Sequence, residues 1–222
     1  MQRNASVSLT PTALSANGIS LSQKPAAGGV QALTITGALA AAGVATLPQV
    51  RRVGIKSDAD DTGRTFTVTG TDRYDRRVVE TLVGPGETLN DFKTVTGVSV
   101  DGNTAGNITV GTSGVISSQW IPLDRISVAN LGIGVHQNGV ANWTVEYAME
   151  DPFTPGVGVL PDSGMPSFYL TPYPHANLTA QAANKAGFLT GQPATAVRLT
   201  LNSFTAPVTV TMDLAPGFAE EQ

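Results

Sequence analysis

The sequence predicts an all-β protein, built as two antiparallel β-sandwich units with an extended N-terminal arm. Three observations point there. β-branched residues alternate with polar ones at a period of two, as in Thr65-Phe66-Thr67-Val68-Thr69-Gly70, a pattern that suits a half-buried strand. Turn clusters such as Gly84-Pro85-Gly86 and Asp101-Gly102-Asn103 separate these runs at short, regular intervals, as in a sandwich or barrel. The chain has 222 residues with 24 Gly and 14 Pro, a length that holds one large all-β domain or two of about 100 residues.

Residues 1–30 read as the arm. Small and polar residues dominate it, and Pro25-Ala26-Ala27-Gly28-Gly29 closes it. Such an arm is either disordered or ordered by lying along a neighbouring subunit. The alternation of Val7, Leu9, Ile19 and Leu21 suffices to add a strand to a sheet edge, so these four are interface candidates.

The first unit is expected over residues 31–124. Val50–Lys56 leads into the turn cluster Ser57-Asp58-Ala59-Asp60-Asp61-Thr62-Gly63. The strand with Phe66 and Val68 on one face follows. Asp72-Arg73-Tyr74-Asp75 then forms a hairpin connection into Arg77–Val83. Phe92, Thr94, Thr96, Val98 and Val100 share one parity. Asp101-Gly102-Asn103 reads as a hairpin into Asn107–Gly111.

The second unit is expected over residues 125–222. Val128–Val135 and Asn142–Met149 read as two strands joined through Gln137-Asn138-Gly139, with Trp143, Val145, Tyr147 and Met149 on one face. A long loop at 151–193 carries Phe153, Phe168, Tyr169 and Tyr173. Loops of that length are usually functional or disordered, and its aromatics favour packing against something, so these four are interface candidates too. Within it, Ala176–Ala186 is the one stretch with a helix signal. Ala196–Leu201 and Val208–Leu214 close the sheet through a connection at Ser203–Pro207.

Composition narrows the function. Hydrophobic residues make up 41% of the chain, which argues for folding, while only 14% are charged against a typical figure of about 25%. A neutral polar surface loses little desolvation energy when it packs on a neighbour, which suits an assembly component. The net charge of −4 and the lack of a basic stretch disfavour a nucleic-acid partner. With no Cys, disulfides and Cys-ligated metals are excluded. The polar start at Met1-Gln2-Arg3-Asn4 and the short apolar run Ala38–Leu47 predict neither a cleaved signal nor a membrane partner.

Reactive constellations are sparse. His136 stands at an expected hairpin end and His175 in the long loop, and neither neighbourhood holds a nucleophile motif or His-Glu-x-x-His. Asp58, Asp60 and Asp61 form the one carboxylate cluster suited to a hard cation. It lacks the glutamate that an EF-hand places at its twelfth position, where Thr69 stands, and strands flank it where helices are needed. Ordinary turn chemistry is the alternative and the one expected. No catalytic residue, resident metal or cofactor is expected. Arg51-Arg52 and Arg73 with Arg76-Arg77 read as edge-protecting charges.

The run Asp61–Tyr74, with Thr69-Gly70-Thr71-Asp72, Glu80-Thr81, Gly84-Pro85 and Phe92-Lys93-Thr94-Val95 in order, resembles a family of small virion-associated proteins of tailed bacteriophages. The likeness continues through Trp120-Ile121-Pro122-Leu123-Asp124 and ends at Glu150-Asp151-Pro152-Phe153. It covers roughly residues 50 to 153 and carries over no catalytic residue. The resemblance implies a non-enzymatic virion structural protein, a capsid decoration (cement) protein or an accessory protein of the head-to-tail region. Such a protein is assembled in the host cytoplasm, is homo-oligomeric, and binds major capsid or tail and connector proteins. The alternative is a receptor- or glycan-binding module of a tail fibre.

Overall fold

The computed structural model describes residues 4–123, 131–150, 170–190 and 193–216; among them every regular element is a strand, so the all-β expectation holds. The chain forms two compact units, residues 12–116 and residues 1–11 with 117–222. The expected arm over residues 1–30 is instead divided between them. Its first strand, β1 (Ala5–Leu9), pairs with the end of the chain from Ala5↔Leu214 to Leu9↔Val210, because its alternating apolar side chains find a sheet edge within the same molecule.

The unit of residues 12–116 holds β2 (Ser20–Gln23), β3 (Gln31–Leu33), β4 (Ala40–Ala41), β5 (Val44–Arg51), β6 (Val53–Ser57), β7 (Thr65–Thr71), β8 (Arg77–Val83), β9 (Phe92–Val100) and β10 (Ile108–Thr112). They form a three-stranded sheet, β2-β10-β6, and a larger sheet, β4-β5-β9-β7-β8, with β3 also on β9. The β7–β8 hairpin keeps an unbroken register from Thr65↔Val83 to Thr71↔Arg77. Asp72 fixes its turn by accepting from the Tyr74 and Arg76 amides at 2.8 and 3.0 Å. Phe66 and Val68 are fully buried while the intervening threonines are half-buried, the alternation the sequence announces.

Two expectations fail in this unit for reasons of pairing. In β9 the buried residues are Phe92, Val95, Val98 and Val100, not one parity throughout, because the register slips where Thr69↔Gly97 gives way to Gly70↔Val95. A bulge of this kind moves the following side chains to the other face. Asp101-Gly102-Asn103 closes no hairpin: β9 pairs with β7 while β10 pairs with β6, so the turn carries the chain from one sheet to the other. Ile19, taken above as an interface candidate, is fully buried with Ile55, Ile108 and Val110. Burial of each such side chain stabilises by roughly 1.5–3 kcal/mol, so Ile19 is core.

The other unit holds β1 with β11 (Ile116–Ser117), β12 (Ile121–Pro122), β13 (Leu131–Ala148), β14 (Tyr173–Pro174), β15 (Lys185–Leu189) and β16 (Ala196–Pro216) in one sheet. Its spine is the antiparallel pair β13–β16, matched from Leu131↔Pro216 to Ala148↔Ala196. These strands are 18 and 21 residues long, well beyond the usual strand of about 5–6. The hairpin expected at Gln137-Asn138-Gly139 is therefore absent: these residues run on inside β13 opposite a bulge in β16, and the connection expected at Ser203–Pro207 is that bulged stretch of β16. The register jumps from Asn138↔Thr209 to Val140↔Thr205 and again at Asn142/Trp143. β16 contributes the extra residues, so its buried side chains pass from Val208, Val210, Met212 and Leu214 to Val197, Leu199 and Leu201. Gly139, at φ 111, allows the close approach, since a Cβ there would stand 2.9 Å from the Pro207 carbonyl oxygen.

The helix expected at Ala176–Ala186 is absent. A turn at 175–178 is closed by the Leu178 amide on the His175 carbonyl, and Val145 and Trp143 donate to the Leu178 and Gln181 carbonyls, each at 2.8 Å. Pairing to β13 and burial of Leu178 override the alanine-rich local preference.

Candidate functional site

The carboxylate cluster is the densest group of candidate residues, and each of its three carboxylates accepts from protein donors. Asp58 accepts from the Asn107 amide N–H at 2.6 Å and from Asn107 Nδ2 at 2.7 Å. Asp61, almost fully buried, accepts from Ser57 Oγ at 2.6 Å and from the Ala105 and Gly106 amides at 2.7 and 3.1 Å. Asp60 accepts from the Thr62 hydroxyl and amide, 2.7 and 3.1 Å away. Gly106 lets the segments approach: a Cβ there would stand 2.4 Å from Asp58 Oδ1. The turn 57–63 is thus bolted to the segment 105–107 that leads into β10.

The electrostatics follow from those donors. Burial alone raises the Asp61 pKa, but the donors Ser57, Ala105 and Gly106 and the charge of Arg64 outweigh it and hold the carboxyl below its usual range. The Asn107 side chain and amide lower Asp58, and the Thr62 hydroxyl and amide lower Asp60. The carboxylate form is favoured because hydrogen bonds reach it. Among the described residues no group of three or more His, Cys, Asp or Glu is arranged to hold a metal ion.

The histidines lie apart in role. His175 is buried; its Nδ1 accepts from the Asn177 amide at 3.2 Å and its Nε2 donates to the Phe188 carbonyl at 3.0 Å. These partners assign the proton to Nε2 and tie the 175–178 turn to β15. His136 is exposed, with Nε2 3.8 Å from Asp213 Oδ2, a solvent-screened contact of little energetic weight.

The interface candidates scatter. Val7 and Leu9 are half-buried on β1, and Leu21 is exposed on β2. Tyr173 stacks on Tyr147 with ring centroids 5.7 Å apart. Phe153, Phe168 and Tyr169 lie outside the described residues.

Several polar groups escaped the sequence reading. Arg51, expected on an edge, is fully buried and donates to the Thr12 carbonyl at 3.0 Å and to Gln49 Oε1 at 3.2 Å. Arg198 donates to Glu146 at 2.6 Å and lies over the Trp120 ring, while the Thr200 hydroxyl donates to Glu146 at 2.8 Å. Glu146 alternates with the buried Trp143 and Val145, a signal that places it on the opposite face. Its partner is 52 residues away, which no local pattern shows. Glu80 accepts from the Leu89 and Asn90 amides at 2.5 and 2.9 Å and so ties residues 89–90 to β8.

No protein-family model matches the chain, and no curated protein is found to be related to it. Fold and geometry define an all-β chain of antiparallel sheets in which Asp58, Asp61, Glu80 and the buried His175 hold loops to neighbouring segments.

Proposed function

We propose that this chain is a non-catalytic structural component of a bacteriophage particle. In this reading it is a capsid decoration protein or a head-to-tail accessory protein that binds other virion subunits and assembles with them in the host cytoplasm. The observation that carries the reading is the use made of its reactive groups. Asp58, Asp60, Asp61, Glu80, Glu146 and His175 are each bonded to groups of the same chain, which favours rigid surfaces over turnover. The motifs that resemble virion-associated proteins add support, because Thr69–Asp72, Glu80-Thr81 and Phe92–Val95 fall on the neighbouring strands β8, β7 and β9 or at their ends.

A decoration protein is expected in roughly hundreds of copies per particle, set by shell symmetry. Quantitative mass spectrometry of purified particles tests this, and absence from the particle contradicts it. The Tyr147–Tyr173 stack favours a second reading, a glycan-binding module of a tail fibre. Roughly tens of copies, with glycan binding lost on Tyr173→Ala, would select it.

A further inference from the structure

Sheet edges expose unpaired amides and carbonyls, and proteins guard them with charges, prolines, bulges or covering segments. Long edges of this molecule are guarded in such ways. On β2, Gln23 bonds both the amide and the carbonyl of Thr34, at 2.9 and 2.7 Å. On β6, the Ile55 amide donates to Gly86 and the Val53 carbonyl accepts from Thr88. β8 carries the charges of Arg77 and Glu80. On β15, His175 bonds the Phe188 carbonyl, and Lys185 adds a charge. The short β12 and β14 each carry a proline.

β1 differs in every respect. Ala5-Ser6-Val7-Ser8-Leu9 has no charge and no proline, and its register with β16 is unbroken over five pairs. Alternate residues must direct their N–H and C=O groups away from β16, and among the described strands β1 pairs with β16 alone. Ala5, Val7 and Leu9 remain half-buried, as expected of a strand with a neighbour on one side only.

We propose that the outer edge of β1 pairs with β1 of a second copy of this chain, antiparallel about a two-fold axis at Val7. Each copy carries a net charge of −4, so copies repel in general, and an uncharged strand is where they meet without opposed like charges. In this register Ala5 faces Leu9 of the other copy and Ser6 faces Ser8, which extends the β1-β16-β13 sheet across the axis and buries both Val7 side chains. The pairing is isologous and therefore closes. It does not depend on the virion reading.

The test is sedimentation of the whole chain over a wide concentration range. The wild type should self-associate, and Ser6→Lys with Ser8→Lys, which opposes like charges across the axis, should weaken association at least about tenfold. Both serines are exposed, so the fold should persist by circular dichroism. Because the chain has no cysteine, Val7→Cys should give a covalent dimer on oxidation, a readout that stands if the double variant fails to fold. A wild type that stays monomeric, association undiminished in the folded lysine variant, or no covalent dimer from Val7→Cys would each overturn the proposal.

Discussion

The two units solve the same problem in opposite ways. Residues 12–116 use many short strands in two sheets and fasten the segments between them with side-chain clamps, Asp61 on Ala105 and Gly106 and Glu80 on Asn90. The other unit relies on two long strands, β13 and β16, and needs bulges to re-aim their side chains midway. Stability in the first should therefore be sensitive to polar groups at turns, and in the second to packing and backbone freedom along the spine.

The largest single effect is expected at Trp143, which is fully buried with its Nε1 donating to Gln137. Trp143→Ala should cost about 3–5 kcal/mol, read as the shift in urea unfolding; a cost typical of surface positions would mean that the spine does not form the core of its unit. Next comes Asp61→Ala, which strands two amides and a hydroxyl, at a cost of about 2–3 kcal/mol. If it proves silent, the clamp is not structural. Gly139→Ala should cost about 1–2 kcal/mol, since it puts a Cβ at positive φ against Pro207.

Acid tests the clamp of the first unit. The folded-state pKa values of Asp58, Asp60 and Asp61 lie below their ordinary values. Their stabilisation is therefore complete above the unfolded value, about 4, and is lost as pH falls through the folded values. Unfolding midpoints measured from neutral pH downward should fall below about pH 4, and Asp61→Asn should flatten that dependence. An unchanged slope in the variant would assign the acid sensitivity elsewhere.

What the sequence could and could not disclose follows the same division. The β7–β8 hairpin is legible because its alternation and its Asp72 turn are adjacent in the chain. Asn138-Gly139 misleads because a positive-φ glycine serves a hairpin and a bulged pairing equally, and the partner that decides, Pro207, lies far along the chain. Ile19 and Leu21 share a parity, yet the strand begins only at Ser20, so one is core and the other exposed. The Asp58–Gly63 cluster is visible as chemistry, but its ligands Asn107, Ala105 and Gly106 come from another turn. Local pattern reads strands and turns; it does not read which distant strand completes them.

Amide hydrogen exchange on the full chain tests most directly the central claim, that the molecule binds its candidate reactive groups internally and leaves the uncharged edge of β1 for assembly. In dilute solution alternate amides of residues 5–9 should exchange fast while the amides of Val53 and Ile55, bonded to Thr88 Oγ1 and the Gly86 carbonyl, are protected, and assembly should slow the former. Protection of residues 5–9 in the dilute monomer, or fast exchange that persists after assembly, would contradict it.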